Sequence, residues 1–160
     1  MAPVPTSSRH SHRWGSLPVI GLAIALAMAP AICRASSRAE ILEAIHRVEN
    51  PLDSSRPGKF GELGAYQFRR STWSMHTSAP FEQALERTVS EEVAIRHYEW
   101  LRRGLLRNGL PQTPYYIALA WNGGLSSVVR GRATSSTRDY AQRVSNLATE
   151  LKTNQLAVVP

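Results

Sequence analysis

Glu49 ends a stretch of helical spacing, and Asn50-Pro51 stops that stretch at once. Leu42 and Ile45 lie on the same face as Glu49, so its carboxyl extends the edge of an apolar stripe. A carboxyl partly withdrawn from water loses solvation of its charged form, and its pKa rises. Such a group keeps its proton near neutral pH and can give it to a leaving oxygen. Pro51 biases Asn50 away from helix and turns the chain sharply, which aims Glu49 into a groove. The plain alternative is an exposed glutamate at a helix end, the commoner fate of Glu.

Other segments bear on that choice. Gly61-Glu62-Leu63-Gly64-Ala65-Tyr66-Gln67-Phe68 follows in a glycine-rich turn, and Ala120-Trp121-Asn122-Gly123-Gly124 ends a later helix. A Tyr hydroxyl and amide side chains suit a neutral polar sugar, and a Trp face suits the apolar side of its ring. Trp121 would equally serve as core by its size, Asn122 as a cap before glycine, and Tyr140 as a helix-packing aromatic. Glu62 bears on mechanism. Hydrolytic glycosidases use two carboxylates, ~5–5.5 Å apart when retaining and ~6.5–9.5 Å apart when inverting. Glu62 could be the second of such a pair, or a plain charge on a turn.

Other chemistries find little support. No His-Glu-x-x-His and no cysteine pair offers a metal site, and no Gly-x-Ser-x-Gly elbow is present. His46, His76 and His97 are scattered, and His97 reads as packed on its helix. Arg130-Gly131-Arg132 reads as a solvated basic loop, with contact to an anionic glycan as the sharper alternative.

The chain has 160 residues, a net charge of +7 and one cysteine, Cys33. Arg9, His10, His12 and Arg13 precede the uncharged stretch Val19 to Ala29, and Ala29-Pro30-Ala31 offers small residues at a cleavage site. This is the layout of a secretory signal peptide over residues 1–35, cut after Ala31 or Ala35. The apolar stretch is short of the ~20 residues that span a bilayer. The expected protein is therefore exported, to the periplasm or outside the cell, and monomeric. Without Arg9, Arg13 and Arg34 about four net positive charges remain. Such an excess favours polyanions; outside the cytoplasm these are wall polymers or anionic lipid, and no nucleic-acid partner is expected. With no disulfide and no metal, one hydrophobic core must hold the folded part, which is large enough for a single domain.

The elements that position these residues are mainly α, with at most a small β-hairpin. Glu40 to Glu49 reads as the first helix, capped by Ser36 or Ser37. Leu52 to Gly64 reads as loop or a short hairpin, and Phe68 to Trp73 as helical. Pro80 fits the first turn of a helix holding Phe81, Ala84 and Leu85. Ser90 reads as the cap of the next helix, whose buried stripe is Val93, His97, Trp100, Leu101 and Leu105. Asn108-Gly109 stops it. Thr113-Pro114 starts another helix, with Pro at its first position. Ser126 to Thr137 reads as a polar loop or short helix. The last helix starts near Thr137 and presents Tyr140, Val144, Leu147 and Leu151, and residues 152–160 read as a frayed tail.

In order, Gly64-Ala65-Tyr66-Gln67, Ala120-Trp121-Asn122-Gly123-Gly124 and Tyr140-Ala141-Gln142-Arg143-Val144 follow Glu49 as three motifs of the soluble lytic transglycosylases do. The chain from Ile41 to Leu151 thus resembles that branch of the lysozyme-like superfamily. It departs at Asn50, where Ser is usual, at Ala65-Tyr66-Gln67, which lacks Met, at Trp121 in place of Tyr and at Gly123 in place of Ala. The resemblance implies a single lysozyme-like domain over residues 36–151 that cleaves the MurNAc–GlcNAc β-1,4 bond of peptidoglycan. Glu49 would be general acid, then base. Gln67 would bond sugar or backbone near the cleft, Tyr66 would help line it, and Asn122 would sit opposite. Tyr140 would approach Glu49 and tune its proton. No cofactor is implied. Partners would be glycan strands and cell-envelope or secretion machinery. The alternatives are a hydrolase of lysozyme or chitin type using Glu49 with Glu62, and a non-catalytic glycan-binding wall protein.

Overall fold

The computed structural model describes Met1 and residues 29–158. The signal-peptide reading falls largely on residues 2–28, outside the described residues; both expected cut sites lie within the first helix. Among the described residues no helix is long and apolar enough to cross a membrane.

The fold is mainly α, as the spacing predicts. Helices α1 (Ala29–Glu49), α2 (Arg70–Ser74), α3 (Arg87–Arg107), α4 (Pro114–Gly123), α5 (Leu125–Val129) and α6 (Ser135–Val158) follow in order, with a 3-10 turn at Phe81–Leu85 before α3. The expected hairpin shrinks to one antiparallel bridge, Leu63 to Phe68, closed by two backbone hydrogen bonds of 3.0 Å.

Helix α4 lies at the centre. Ile117, Ala118, Leu119 and Ala120 are all buried, the mark of a helix covered on every side. Helices α1 and α4 both lie against α6. Small residues permit that approach: a Cβ on Gly123 would come 2.8 Å from Thr137 Cγ2. Ile41 and Ile45 of α1, Leu101 and Leu105 of α3 and Val144 of α6 complete the core. All recur at helical spacing.

Helix ends differ from the sequence reading where tertiary packing outweighs local preference. Neither Ser36 nor Ser37 is a cap, because α1 is already helical there. Ser90 is not a cap either: α3 starts three residues earlier, and Ser90 is fully buried inside it. Its hydroxyl has no partner and lies beside Gly64, whose Cβ would stand 3.4 Å away. The helix expected at Phe68 starts at Arg70. Pro80 caps a 3-10 turn rather than an α-helix. The Thr113 cap with Pro114 at the first position holds. Helix α6 continues to Val158, so the expected frayed tail is helical through that residue.

Candidate active site

A cleft of about 510 Å³ opens beside the last residue of α1. Asn50 sets that end. Its backbone N–H closes the helix on His46 O at 2.8 Å. Its side-chain N–H donates to Ser54 O at 2.9 Å and Gly64 O at 3.2 Å, and its carbonyl oxygen accepts from Ser54 N at 2.9 Å. Asn50 is buried, so these bonds are shielded from water and fix the angle between α1 and the glycine-rich turn. Glu49 therefore faces the turn across the cleft.

Burial raises the Glu49 carboxyl to a pKa of about 7, against the weaker downward pull of Tyr140; the Glu62 charge adds to the rise and Arg143 opposes it. The desolvated carboxyl expected at the edge of the stripe is present. Tyr140, from α6, is buried, and its hydroxyl acts on Glu49 without forming a bond of standard geometry to any group. Burial, then the Glu49 charge, lifts the Tyr140 phenol well above its ordinary range, so it is protonated at physiological pH. Tyr140→Phe removes a buried hydroxyl with no well-formed partner, and is expected to change stability by less than about 1 kcal/mol. It also removes the influence that lowers the Glu49 pKa. A carboxyl titration by NMR should then place Glu49 above its wild-type value.

Glu62 lines the same cleft but is already committed. Its carboxylate accepts from Phe60 N at 2.8 Å and Arg69 Nε at 3.2 Å. The small desolvation at this site would raise its pKa, but the Phe60 and Glu62 N–H groups and the Arg69 guanidinium outweigh it and hold the pKa below the usual range. The two carboxyls thus differ in kind: Glu49 holds a proton near pH 7, whereas Glu62 is ionised and paired.

Gln67 lines the cleft at a φ of +45°, and its amide donates to Gly64 O at 3.0 Å. Trp121 is half-buried on the cleft wall, with its ring 4.8 Å from that of His97 and 5.7 Å from that of Phe68. It is core on one side and wall on the other. Asn122, exposed at the end of α4, reaches the same cleft. Tyr66 does not line it. Its side chain is buried against Phe68 and Trp121, and burial, with the Glu91 charge, pushes its phenol up to about 12. At the tip of the turn Gln67, at positive φ, lines the cleft while Tyr66 packs inward.

Several cleft residues were not singled out by sequence reasoning. Lys59, Phe60 and Arg69 all line it; the paired glycines Gly58 and Gly61 around Lys59-Phe60 were the available signal for a tight turn. His97 also reaches the cleft, though packed as expected. It stacks on Trp100 at 5.8 Å and bonds His76 at 2.9 Å. Burial, then repulsion from His76, lowers its pKa to about 3, so it is neutral at physiological pH. Among the described residues no group of three or more His, Cys, Asp or Glu could hold a metal ion.

The arrangement offers one proton donor, one fixed carboxylate, two amides and an aromatic wall around an open trough. Comparisons with protein-family models, with curated proteins and with solved structures found no match to this chain.

Proposed function

We propose that this protein is a lysozyme-like enzyme, of the lytic transglycosylase type, that cleaves the MurNAc–GlcNAc β-1,4 bond of peptidoglycan. The observation that carries the reading is the contrast between the carboxyls: Glu49 has a pKa of about 7 in an open cleft, while Glu62 is held by Arg69 and the Phe60 N–H. Protonated Glu49 gives its proton to the glycosidic oxygen as the bond to C1 breaks. Its carboxylate then takes the proton of the C6 hydroxyl, whose oxygen closes on C1. The product is a 1,6-anhydro sugar, and Glu49 ends protonated as it began. No water nucleophile and no second carboxylate is needed. Gln67 and Asn122, which both line the cleft, would bond the sugar's amide and hydroxyl groups, and Trp121 would carry its apolar face.

A hydrolase is the second reading, because ionised Glu62 lines the same trough. Mass spectrometry of purified peptidoglycan digested by the protein separates the two, since anhydro and reducing ends differ by one water. Anhydro-muropeptides that vanish in Glu49→Gln are the expected result. Reducing ends would promote the hydrolase, and no product would favour a binding protein. Glu62→Gln tests the same point by rate. A transglycosylase should keep activity within about tenfold, whereas loss of a working general base would cost about 10²–10⁴-fold.

A further inference from the structure

Resting on the glycan-cleaving reading, we infer that Lys59, Phe60 and Arg69 form a subsite for a carboxylate-bearing sugar at one end of the cleft. Phe60 is 69% exposed although it lines the trough. A phenyl ring that open contributes little to the core, but it offers an apolar surface to a sugar ring. Lys59 Nζ stands 5.4 Å and Arg69 Cζ 5.2 Å from the ring centroid, within the range of cation–π attraction. The two cations are therefore gathered beside the ring instead of being spread through solvent.

The tip is built in advance. Gly58 N donates to Glu62 O at 2.8 Å and Gly61 N to Gly58 O at 3.0 Å, closing a tight turn with Lys59 and Phe60 at its corners. Gly61 has a φ of +79°. The Glu62 carboxylate braces the same turn through the Phe60 N–H. A fixed tip loses less freedom on binding than a loose one.

Charge gives the subsite its selectivity. Glu62 offsets one cation, Arg69, through their 3.2 Å contact. Lys59 is exposed and adds one uncompensated positive charge. Glu49, with a pKa of about 7, adds little negative charge in mildly acidic solution. This end of the trough is thus net positive where a strand would lie. The sugar it fits is one with a carboxyl ether beside its ring, such as the lactyl group of MurNAc, in preference to a neutral chain of N-acetylglucosamine. Glu62 accordingly serves as the brace of a recognition site and not as a second reacting carboxylate.

The test uses the full chain carrying Glu49→Gln, so that bound strands stay intact. The probes are glycan strands stripped of peptide, the same strands with their carboxyls amidated, and an N-acetylglucosamine hexamer, each titrated by calorimetry. The acidic strands should bind about three- to fivefold more tightly than the amidated ones, the scale of one solvent-exposed ion pair. Adding Lys59→Gln should erase that preference, as should high salt, which screens exposed charges. Adding Phe60→Leu instead should weaken acidic and amidated strands alike. Equal affinity for both strands, or a preference that survives Lys59→Gln, overturns the subsite; anhydro products from the wild-type chain would then leave the cleavage reading standing. Absence of binding to every probe, with no products from wild type, overturns both.

Discussion

Glu49→Gln is expected to reduce bond cleavage by about 10³-fold or more, the scale of general acid–base catalysis, while making the protein more stable above neutral pH. The second effect tests whether the Glu49 carboxyl is desolvated in the folded chain. The folded-state pKa is about 7 against an ordinary 4.5. Below pH 4.5 the group is protonated in both folded and unfolded chains, and its burial carries no ionisation penalty. As pH rises from 4.5 through 7, the unfolded chain releases a proton that the folded chain retains. Folded stability therefore falls over that window and is fully reduced above it. The loss has an upper limit of about 3 kcal/mol; partial exposure of Glu49 brings the expected value to about 1–2 kcal/mol. Gln does not ionise and escapes the loss. Thermal melts of both proteins should coincide near pH 4 and separate near pH 8, with the variant higher by several degrees. Wild-type cleavage should meanwhile decline as pH rises through about 7, because the reaction begins from the protonated acid. Coincident melts at both pH values would show that Glu49 is not desolvated, and would remove the basis for its role as acid.

Gly64→Ala should be the most damaging glycine substitution among the described residues. Gly64 has a φ of +78°, and a Cβ there would collide with the Ala84 carbonyl of the 3-10 turn. Left-handed geometry at a non-glycine residue costs about 1 kcal/mol, and forcing backbone apart in a packed region costs about 1–3 kcal/mol more. Gly64 also supplies the carbonyl that accepts from Asn50 and Gln67 side chains, so its displacement loosens the end of α1 and the cleft together. A fall in melting temperature of about 10 °C is expected, with activity reduced beyond what instability explains. Gly61→Ala is the control. It has a similar φ of +79° but nothing within 4 Å of the added Cβ. It should lose only about 1 kcal/mol, the conformational part alone. Similar melts for the two variants would mean that the turn yields easily and does not fix the cleft.

Much of this was legible along the chain because it depends on neighbours in sequence. Helical spacing places Ile41, Ile45, Leu101 and Leu105 inside. Thr113-Pro114 starts α4, and Asn50-Pro51 stops α1 at Glu49. The place of Glu49 at the edge of an apolar stripe is legible in the same way. These features are local, and periodicity and capping chemistry carry them. Ser90 shows where local preference fails. A serine followed by two glutamates is a good start to a helix, yet burial against the turn makes the position interior.

The cleft itself belongs to tertiary structure. Sequence pattern alone cannot tell that Gln67 faces out and Tyr66 in, because the tip of a four-residue turn has no fixed period. Nor could it separate the two carboxyls. Glu49 and Glu62 are the same residue type thirteen positions apart. One is covered by packing and approached by Tyr140 from α6, and the other is pinned by Arg69 and the Phe60 N–H. Desolvation and ion pairing depend on distances between segments remote in sequence, and only the folded chain sets them. The sequence by itself determined the helices and the residue at the end of the first one; the packing of α6 and the turn, with Arg69 paired to Glu62, decided which carboxyl keeps a proton.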